Sequence, residues 1–587
     1  MTGIAALVAD NLDLWTSAVE RKSGAGRGSS KKVSLYGIDR LRTLILDLAV
    51  RGRLVPQEER DEPAEMLLKL IAEGRLQLIK AGFIRGSKTA SVRADVTGPF
   101  AIPSSWVWVR LDQLGAIVGG GTPPANDQTN FATPGQGIPW LTPADLSGYE
   151  GKYIASGQRD LTEKGAATSS AKVMPAGTVL FTSRAPIGYV AIAANPIATN
   201  QGFKSVIPAI DGLSQYIALT LTAFAEEIDA NAPGTTFKEV SGKIVEAIPF
   251  PLPPLAEQQR IVAKADELMA LCDTIETQSA LALEAHQTLV ETLLATLVNS
   301  VDASDLAANW VRLETHFDTL FTTEASIDAL KKAVLDLTIR GKIARQDDRD
   351  EPARLMLQRL HAEQGNGKRA SKSAKTSAGS VEPAFQLPST WEWSTLGDLS
   401  VDMRYGTSKK CERGSAGTPV LRIPNVSGGV VNLIDLKFGP LDDRERGNLT
   451  LNRGDLLIIR SNGSLEIVGR FAVVPQLEQQ TAFAGYLVRA RVDQTCALPQ
   501  YIWYASNSKW MRDNIEGPIR HGVGLKNLNL TELSSLRIPL PPIAEQQRIV
   551  ANVDELMALC DALKGQLGAA ATIQKHLADA IVERAAA

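Results

Sequence analysis

Side chains capable of catalysis are spread along this 587-residue chain without the spacing that catalysis requires. The five histidines, His286, His316, His361, His521 and His576, never fall at metal-ligand intervals, and the four cysteines, Cys272, Cys411, Cys496 and Cys560, form no CxxC pair. Each Gly-Lys pair (Gly151-Lys152, Gly242-Lys243, Gly341-Lys342, Gly367-Lys368) is followed by a residue other than Ser or Thr, so no loop has the pattern that cradles a nucleotide's phosphates. Asp145, Glu150 and Lys152 imitate a nuclease triad at cramped spacing, but in the turn-rich stretch PADLSGYEGK they read as turn residues. No Asn-Pro-Pro-aromatic tetrad of an amino-methylating enzyme occurs. These observations predict a chain with no catalytic residue, metal or cofactor of its own. The chemistry left to it is recognition, and recognition depends on the frame that holds the side chains.

That frame is written twice. PLPPLAEQQRIVAKADELMALCD begins at Pro251 and PLPPIAEQQRIVANVDELMALCD at Pro539, an offset of 288 with 20 of 23 positions identical. LDLAVRGRLVPQEERDEPA, ending at Ala64, is echoed by LDLTIRGKIARQDDRDEPA, ending at Ala353, and IPSSWVWVRLDQL at Ile102 by LPSTWEWSTLGDL at Leu387, with offsets of 289 and 285. Three near-equal offsets imply one duplicated unit of half the chain: helical hairpin, polar linker, body, long helix. Between the shared frames the bodies diverge, keeping only echoes such as PAGTVLFTSR against NRGDLLIIRS. Glycine, proline and short β-branched runs (TVLFTS, YVAIAA; DLLIIRS, YLVRARV) predict mainly β bodies with loops on a rigid base. Trp106, Trp108, Trp391 and Trp393 recur with the frame and read as core anchors.

Each long helix starts after a Pro-Pro pair, which suits a first turn and no later one, and Glu257 sits near the positive end of its dipole. Apolar residues then recur at 4-3 spacing: Ile261, Ala265, Leu268, Cys272 and Ile275, continuing to Ala282, Leu289 and Leu293, with Ser279 and His286 interrupting the seam. The second copy repeats this with Ile549, Val553, Leu556, Cys560 and Leu563, continuing through Leu567, Leu577 and Ile581. Matching seams predict coiled-coil packing, and about 40 residues at ~1.5 Å each make a rod of ~60 Å. The fold expected is α+β: two mixed, mainly β domains joined by long antiparallel coiled-coil helices, with a pseudo-twofold internal repeat. The segments are 1–97 (helices and a basic linker), 98–250 (first body), 251–300 (long helix), 301–383 (second hairpin and basic linker), 384–538 (second body) and 539–587 (long helix).

Composition sets the partner classes. An apolar fraction of 44% with 22% charged residues is that of an ordinary globular protein. The N-terminus, MTGIAALVADNLDLW, lacks a basic flank and a long apolar run, which predicts neither secretion nor membrane insertion and points to the cytoplasm. Net charge is −3 overall, but −3 for residues 98–250 and +3 for residues 384–538, so any nucleic-acid binding rests on placed residues rather than a general basic surface.

The PLPP-x-AEQQRIV opening of a long helix after a variable body, written twice, resembles the specificity subunit of type I restriction–modification enzymes. The N-terminal LDLWTSAVERK segment and both RGRLV/RGKIA…DEPA hairpins match the longer members of that family. The resemblance implies two target-recognition domains, each reading half of a split, asymmetric site in duplex DNA, and helices that set the gap and dock two methylation subunits. Restriction subunits would join the full complex. S-adenosylmethionine, ATP and magnesium would belong to the partners, and a bacterial or archaeal cytoplasm follows.

Arg and Lys can grip guanine, and Asn and Gln adenine, when loops carry them into a groove. Candidates in the first body are Thr122 in GGGTPPAND; Trp140 and Thr142 in IPWLTPAD; Ser183 and Arg184 in FTSRAPIG; Asn200, Gln201 and Lys204 in TNQGFK; and Thr235, Thr236 and Lys238 in PGTTFK. In the second body they are Arg404, Tyr405, Ser408, Lys409 and Lys410 in RYGTSKK; Arg422 and Asn425 in LRIPNVSGG; Arg460, Ser461 and Asn462 in IRSNGS; and Arg520, His521 and Lys526 in IRHGVGLK. Any one of them alone is more readily an ordinary solvated or turn residue than a reader, and the clusters carry the reading rather than their members. The basic linkers KSGAGRGSSKK (from Lys22) and GNGKRASKSAKTSAGS (from Gly365) read as tethers, or as arms tracking phosphate. A rival reading stays open: a two-headed coiled-coil scaffold that binds proteins without DNA specificity.

Overall fold

The computed structural model describes residues 4–22, 32–84, 96–184, 186–234, 238–366, 385–414, 416–517 and 526–586. It divides into two compact units, residues 1–281 with 571–587 and residues 282–570, so each long helix (Leu255–Val298 and Ile543–Ala586) begins in one unit and ends in the other.

In the first unit the hairpin helices are Tyr36–Val50 and Ala64–Lys80. Ile38, Leu41, Ile45 and Leu48 recur at helical spacing and are buried in one core with Ile261, Ala265, Leu268 and Cys272 of the long helix. The first hairpin helix stops because Gly52 takes a left-handed φ of 69°, letting the Arg53 amide donate to the Leu48 carbonyl at 2.9 Å. A Cβ there would also lie 2.6 Å from Pro103 Cγ. The second unit repeats the arrangement with helices Glu324–Ile339 and Ala353–Asn366: Gly341 has φ 69°, and Lys342 donates to Leu337 at 3.0 Å. The duplicated RGR and RGK are thus helix stops fitted against the Pro–Trp segment that leads into each body's first strand.

Two-stranded clasps close each body. Val107–Arg110 pairs antiparallel with Pro249–Leu252, and Glu392–Thr395 with Arg537–Leu540. The first body holds a five-stranded sheet in the order Gly115–Gly119, Lys204–Pro208, Val179–Phe181, Val190–Ala193, Tyr153–Ile154. The second holds four strands in the order Ser400–Tyr405, Leu487–Val492, Leu456–Ile459, Phe471–Val473. Val179–Phe181 and Leu456–Ile459, internal strands of these sheets, are unbroken apolar runs because both faces are covered. Val179 and Phe181 point into the helical core and Leu180 into the opposite one, just as Leu456 and Ile458 separate from Leu457 and Ile459. A smaller sheet in each body carries a parallel pair, Ile138–Leu141 with Ala198–Thr199 and Thr418–Leu421 with Ala482–Phe483.

The long helices depart from a continuous heptad seam. Ile261, Ala265, Leu268 and Cys272 are buried and Ile275 is half-buried; Ile549, Val553 and Cys560 are buried, with Leu556 and Leu563 packed beside them. Further along, Leu289 and Leu577 are 51% exposed, and Val290, Leu294 and Leu297, and Ala578 and Val582, are the buried residues instead. A straight helix of 3.6 residues per turn drifts about 20° per heptad, so the buried face moves by one position. No described residue is buried between Ile275 and Val290 or between Cys560 and Ala578. Of the four frame tryptophans, Trp106 and Trp391 are buried. Trp108 and Trp393 are half-buried against Phe100 and Phe385. Among the described residues no helix is long and apolar enough to cross a membrane.

Candidate nucleic-acid interface

The divergent loops of each body meet where its two sheets join, around the segment after the short parallel strand. In the first body that segment is Asn200–Gly202. The Asn200 amide donates to the Leu141 carbonyl at 2.8 Å, which holds the start of the LTPAD turn; the Ser183 amide donates to Gly202 at 2.7 Å, and Gly121 to Thr199 at 2.9 Å. Gly120 is needed at this crossing, since its Cβ would lie 2.1 Å from the Asn200 carbonyl oxygen. Three loops carrying Thr122, Thr142 and Arg184 thereby converge, and the Thr122 hydroxyl bonds the Gln201 side chain.

The second body repeats this wiring hydrogen bond for hydrogen bond. The Ala484 amide donates to Leu421 at 2.9 Å, Arg460 to Tyr486 at 3.0 Å, and Thr407 to Phe483 at 2.9 Å, and Gly406 crosses the same carbonyls. These bonds register the two bodies residue by residue: Gly120 with Gly406, Thr142 with Arg422, Ser183 with Arg460, Gly202 with Tyr486. In both, the residues after the central strand pair with the chain leading to a last short helix, as an Arg184–Glu239 bridge in the first and as Ser461–Asn462 with Lys526–Asn527 in the second.

Within these clusters the candidates separate by exposure. Thr122, Arg184 and Gln201 in the first body and Tyr405, Ser408, Lys409 and Lys410 in the second are exposed, while Thr142, Asn200, Arg404, Arg422, Arg460, Asn462 and Lys526 are half-buried. Lys204 is half-buried, and that burial holds its ammonium below the usual lysine value. Several cations are already paired: Arg184 with Glu239 at 3.0 Å, Lys238 with Asp229 at 3.0 Å, Lys409 with Glu445 at 2.6 Å and Lys410 with Glu412 at 3.0 Å. Arg404 Nε lies 2.9 Å from Asp402, and Arg422 reaches the Asp435 carbonyl at 2.7 Å. Asn200 and Asn462 use their side-chain oxygens on Gly202 and Ser464 amides, both at 2.8 Å.

Four candidates are corrected to structural roles. Trp140 is 3% exposed, and its indole donates to the Gly121 carbonyl at 3.1 Å, so it anchors the glycine loop from inside. Ser183 is fully buried, with its hydroxyl on the Gly202 carbonyl at 3.2 Å. Asn425 accepts from the Arg422 amide at 2.9 Å and donates to the Asn432 and Ile434 carbonyls, both at 3.0 Å, forming a turn. Ser461 is buried within a strand pair. A buried side chain whose polar atoms are spent on backbone cannot meet a base edge. Thr235, Thr236, Arg520 and His521 lie outside the described residues, as do most of both basic linkers.

Asp145 of the supposed triad is likewise engaged, accepting from the Thr142 and Gln158 amides at 2.7 and 2.8 Å, and Lys152 pairs with Asp266 at 2.7 Å. Sequence reasoning passed over Tyr486, 62% exposed in this loop cluster, because AFAGYLV shows no polar cluster. Its signal is positional: it occupies the place that TNQG fills in the first body.

The model of the type I restriction modification DNA specificity domain matches residues 103–285 and 388–571. The specificity subunit of the type I restriction enzyme EcoEI from Escherichia coli is 33% identical over 99% of both chains, and that of EcoAI from the same species is 32% identical over 99% of both. A chain from a structure concerned with complex assembly and conformational transition of the type I R-M system aligns at 19% identity over 83% of this chain and 99% of that one, with a TM-score of 0.46. The chain belongs to the type I restriction–modification specificity family.

Proposed function

We propose that this chain is the DNA sequence-specificity subunit of a type I restriction–modification enzyme, each body reading one half of a bipartite asymmetric site in duplex DNA. The observation that carries the reading is the registered pair of loop clusters: one wiring, built twice, holds different side chains at equivalent points. A duplicated frame with divergent contents suits a duplex whose two half-sites share a backbone and differ in bases.

The long helices set the gap between half-sites, and the repeated hairpins offer two like surfaces to two methylation subunits. Restriction subunits complete the assembly. Methyl transfer from S-adenosylmethionine and ATP- and magnesium-dependent cleavage belong to those partners, and the target adenine is flipped into a partner's pocket. The test is replacement of residues 98–250 by the corresponding body of a homologue, followed by sequencing of methylated adenines. One half-site should change while the other and the gap persist. A simultaneous change in both halves would refute independent reading, and methylation by the isolated chain would refute its dependence on partners.

A further inference from the structure

Arg460 differs from Arg404, Arg422, Arg489 and Arg491. Arg404 and Arg489 meet Asp402, Arg422 meets Asp435, and Arg491 meets Asp455 at 2.7 Å. Arg460 meets no carboxylate among the described residues. Its backbone is held on both sides, the amide donating to the Tyr486 carbonyl at 3.0 Å and the carbonyl accepting from the Leu528 amide at 2.7 Å. Its guanidinium lies 4.5 Å from the centroid of the Tyr405 ring. That ring is itself fixed, because the Tyr405 hydroxyl accepts from the Leu530 amide at 2.9 Å. Nη1 donates to the Gly485 carbonyl at 3.2 Å, and Nε is buried without a partner. The fork is therefore positioned before any ligand arrives, with Nη2 and the second N–H of Nη1 left to donate. A stacked, half-buried guanidinium with donors to spare calls for an acceptor pair from outside the chain.

Two such acceptors exist on a duplex, a phosphate and the O6/N7 edge of guanine. The register between the bodies decides between them. A phosphate contact serves any sequence, so both bodies would profit from the same residue at that point. The first body has Ser183 there, buried and turned onto a carbonyl. Side chains that differ between equivalent positions carry the differing sequence. Resting on the DNA-specificity reading above, we infer that Arg460, stacked on Tyr405 beside Tyr486, reads a guanine in the half-site of the second body, and that the first body has no counterpart to this contact.

The experiment uses the full chain with its methylation partner. The methylated site is sequenced, and the body exchange assigns its halves. Each guanine of the second half is then replaced by 7-deazaguanine, which lacks N7, in duplexes used for binding. One position should weaken binding by roughly ten- to a hundredfold with the wild type and leave Arg460→Ala unaffected. Methylomes of Arg460→Ala and Arg460→Lys should both relax that base pair while the first half-site stays intact, which also reports that the variants fold. A second half-site made only of A·T pairs overturns the inference. So does a uniform loss on all sequences that Arg460→Lys restores, the behaviour of a phosphate contact. A wild-type assembly that binds and methylates no split site would instead overturn the DNA-specificity reading itself, and this assignment with it.

Discussion

Glu257 accepts the indole N–H of Trp106 at 2.9 Å across 151 positions of chain, and Glu545 accepts that of Trp391 at 3.0 Å across 154. The other carboxylate oxygen of each takes a side-chain amide, from Gln57 and from Gln346, both at 2.5 Å. One turn along, Arg260 pairs with Asp61 at 2.5 Å and Arg548 with Asp350 at 2.6 Å. The duplicated AEQQR is thus the lock that fastens each long helix to its own hairpin and to the strand opening its own body.

Removing the lock should loosen one unit at a time. Glu257→Ala leaves the buried Trp106 indole N–H without its acceptor, at a cost of about 1–3 kcal/mol, while the exposed Gln57 amide keeps the Gly52 carbonyl. Chemical denaturation followed by proteolysis should locate the loss in the first unit, and Glu545→Ala should place it in the second.

The same carboxylate predicts a pH effect. Burial raises the Glu257 pKa above its ordinary 4.5, outweighing the hydrogen bonds from Trp106 and Gln57. A group with a raised folded pKa contributes most below its unfolded value, and the contribution is lost as pH rises through the folded one. Glu257→Gln should therefore gain stability relative to the wild type as pH rises from about 4.5 towards neutrality, read from melting temperatures. A difference that stays constant across that window would show that the carboxylate titrates normally.

Gly52 and Gly82 offer a controlled comparison. Both have positive φ, 69° and 76°, but a Cβ on Gly52 meets Pro103 at 2.6 Å while one on Gly82 meets nothing within 4 Å. Gly82→Ala should cost about 1–2 kcal/mol for the left-handed backbone alone. Gly52→Ala should cost more, and equal losses by denaturant titration would contradict the close fit.

Trp140→Phe should destabilise the first body by about 1 kcal/mol through loss of the hydrogen bond to Gly121 and leave the methylated sequence unchanged. A shifted base preference in the methylome would restore Trp140 as a reader.

Four helix-forming residues inserted between Thr277 and Glu284, matched by four between Gly565 and Lys575, fall in stretches where no described residue is buried. They add about one turn and up to ~6 Å. The gap in the methylated site should lengthen by about one base pair, two at most at a rise of ~3.4 Å per pair, with both half-sites preserved. An active assembly with the original gap would show that these helices do not set the distance.

The sequence by itself determined the duplication, the α+β class, the starts of the long helices and the family, because each is written in local signals: matching offsets, a Pro-Pro pair, short β-branched runs and the repeated AEQQRIV. It also singled out the loops proposed above to read DNA, since divergence inside a repeated frame is visible without coordinates. Which residues of those loops face outward was a tertiary decision. Ser183 and Arg460 occupy one position in the wiring, yet one turns inward onto a carbonyl and the other lies over a tyrosine from a distant strand. Trp140 and Asn425 have reader chemistry in sequence but are spent on backbone groups that the folded chain brings near, and Ser461 is buried within a strand pair. The buried face of the long helices past Ile275 was settled the same way, because helical pitch, not the heptad count, determines which side chains meet the hairpin. Residue type and spacing state what a side chain is able to do; packing and hydrogen-bond satisfaction across long chain separations settle whether it is free to do it.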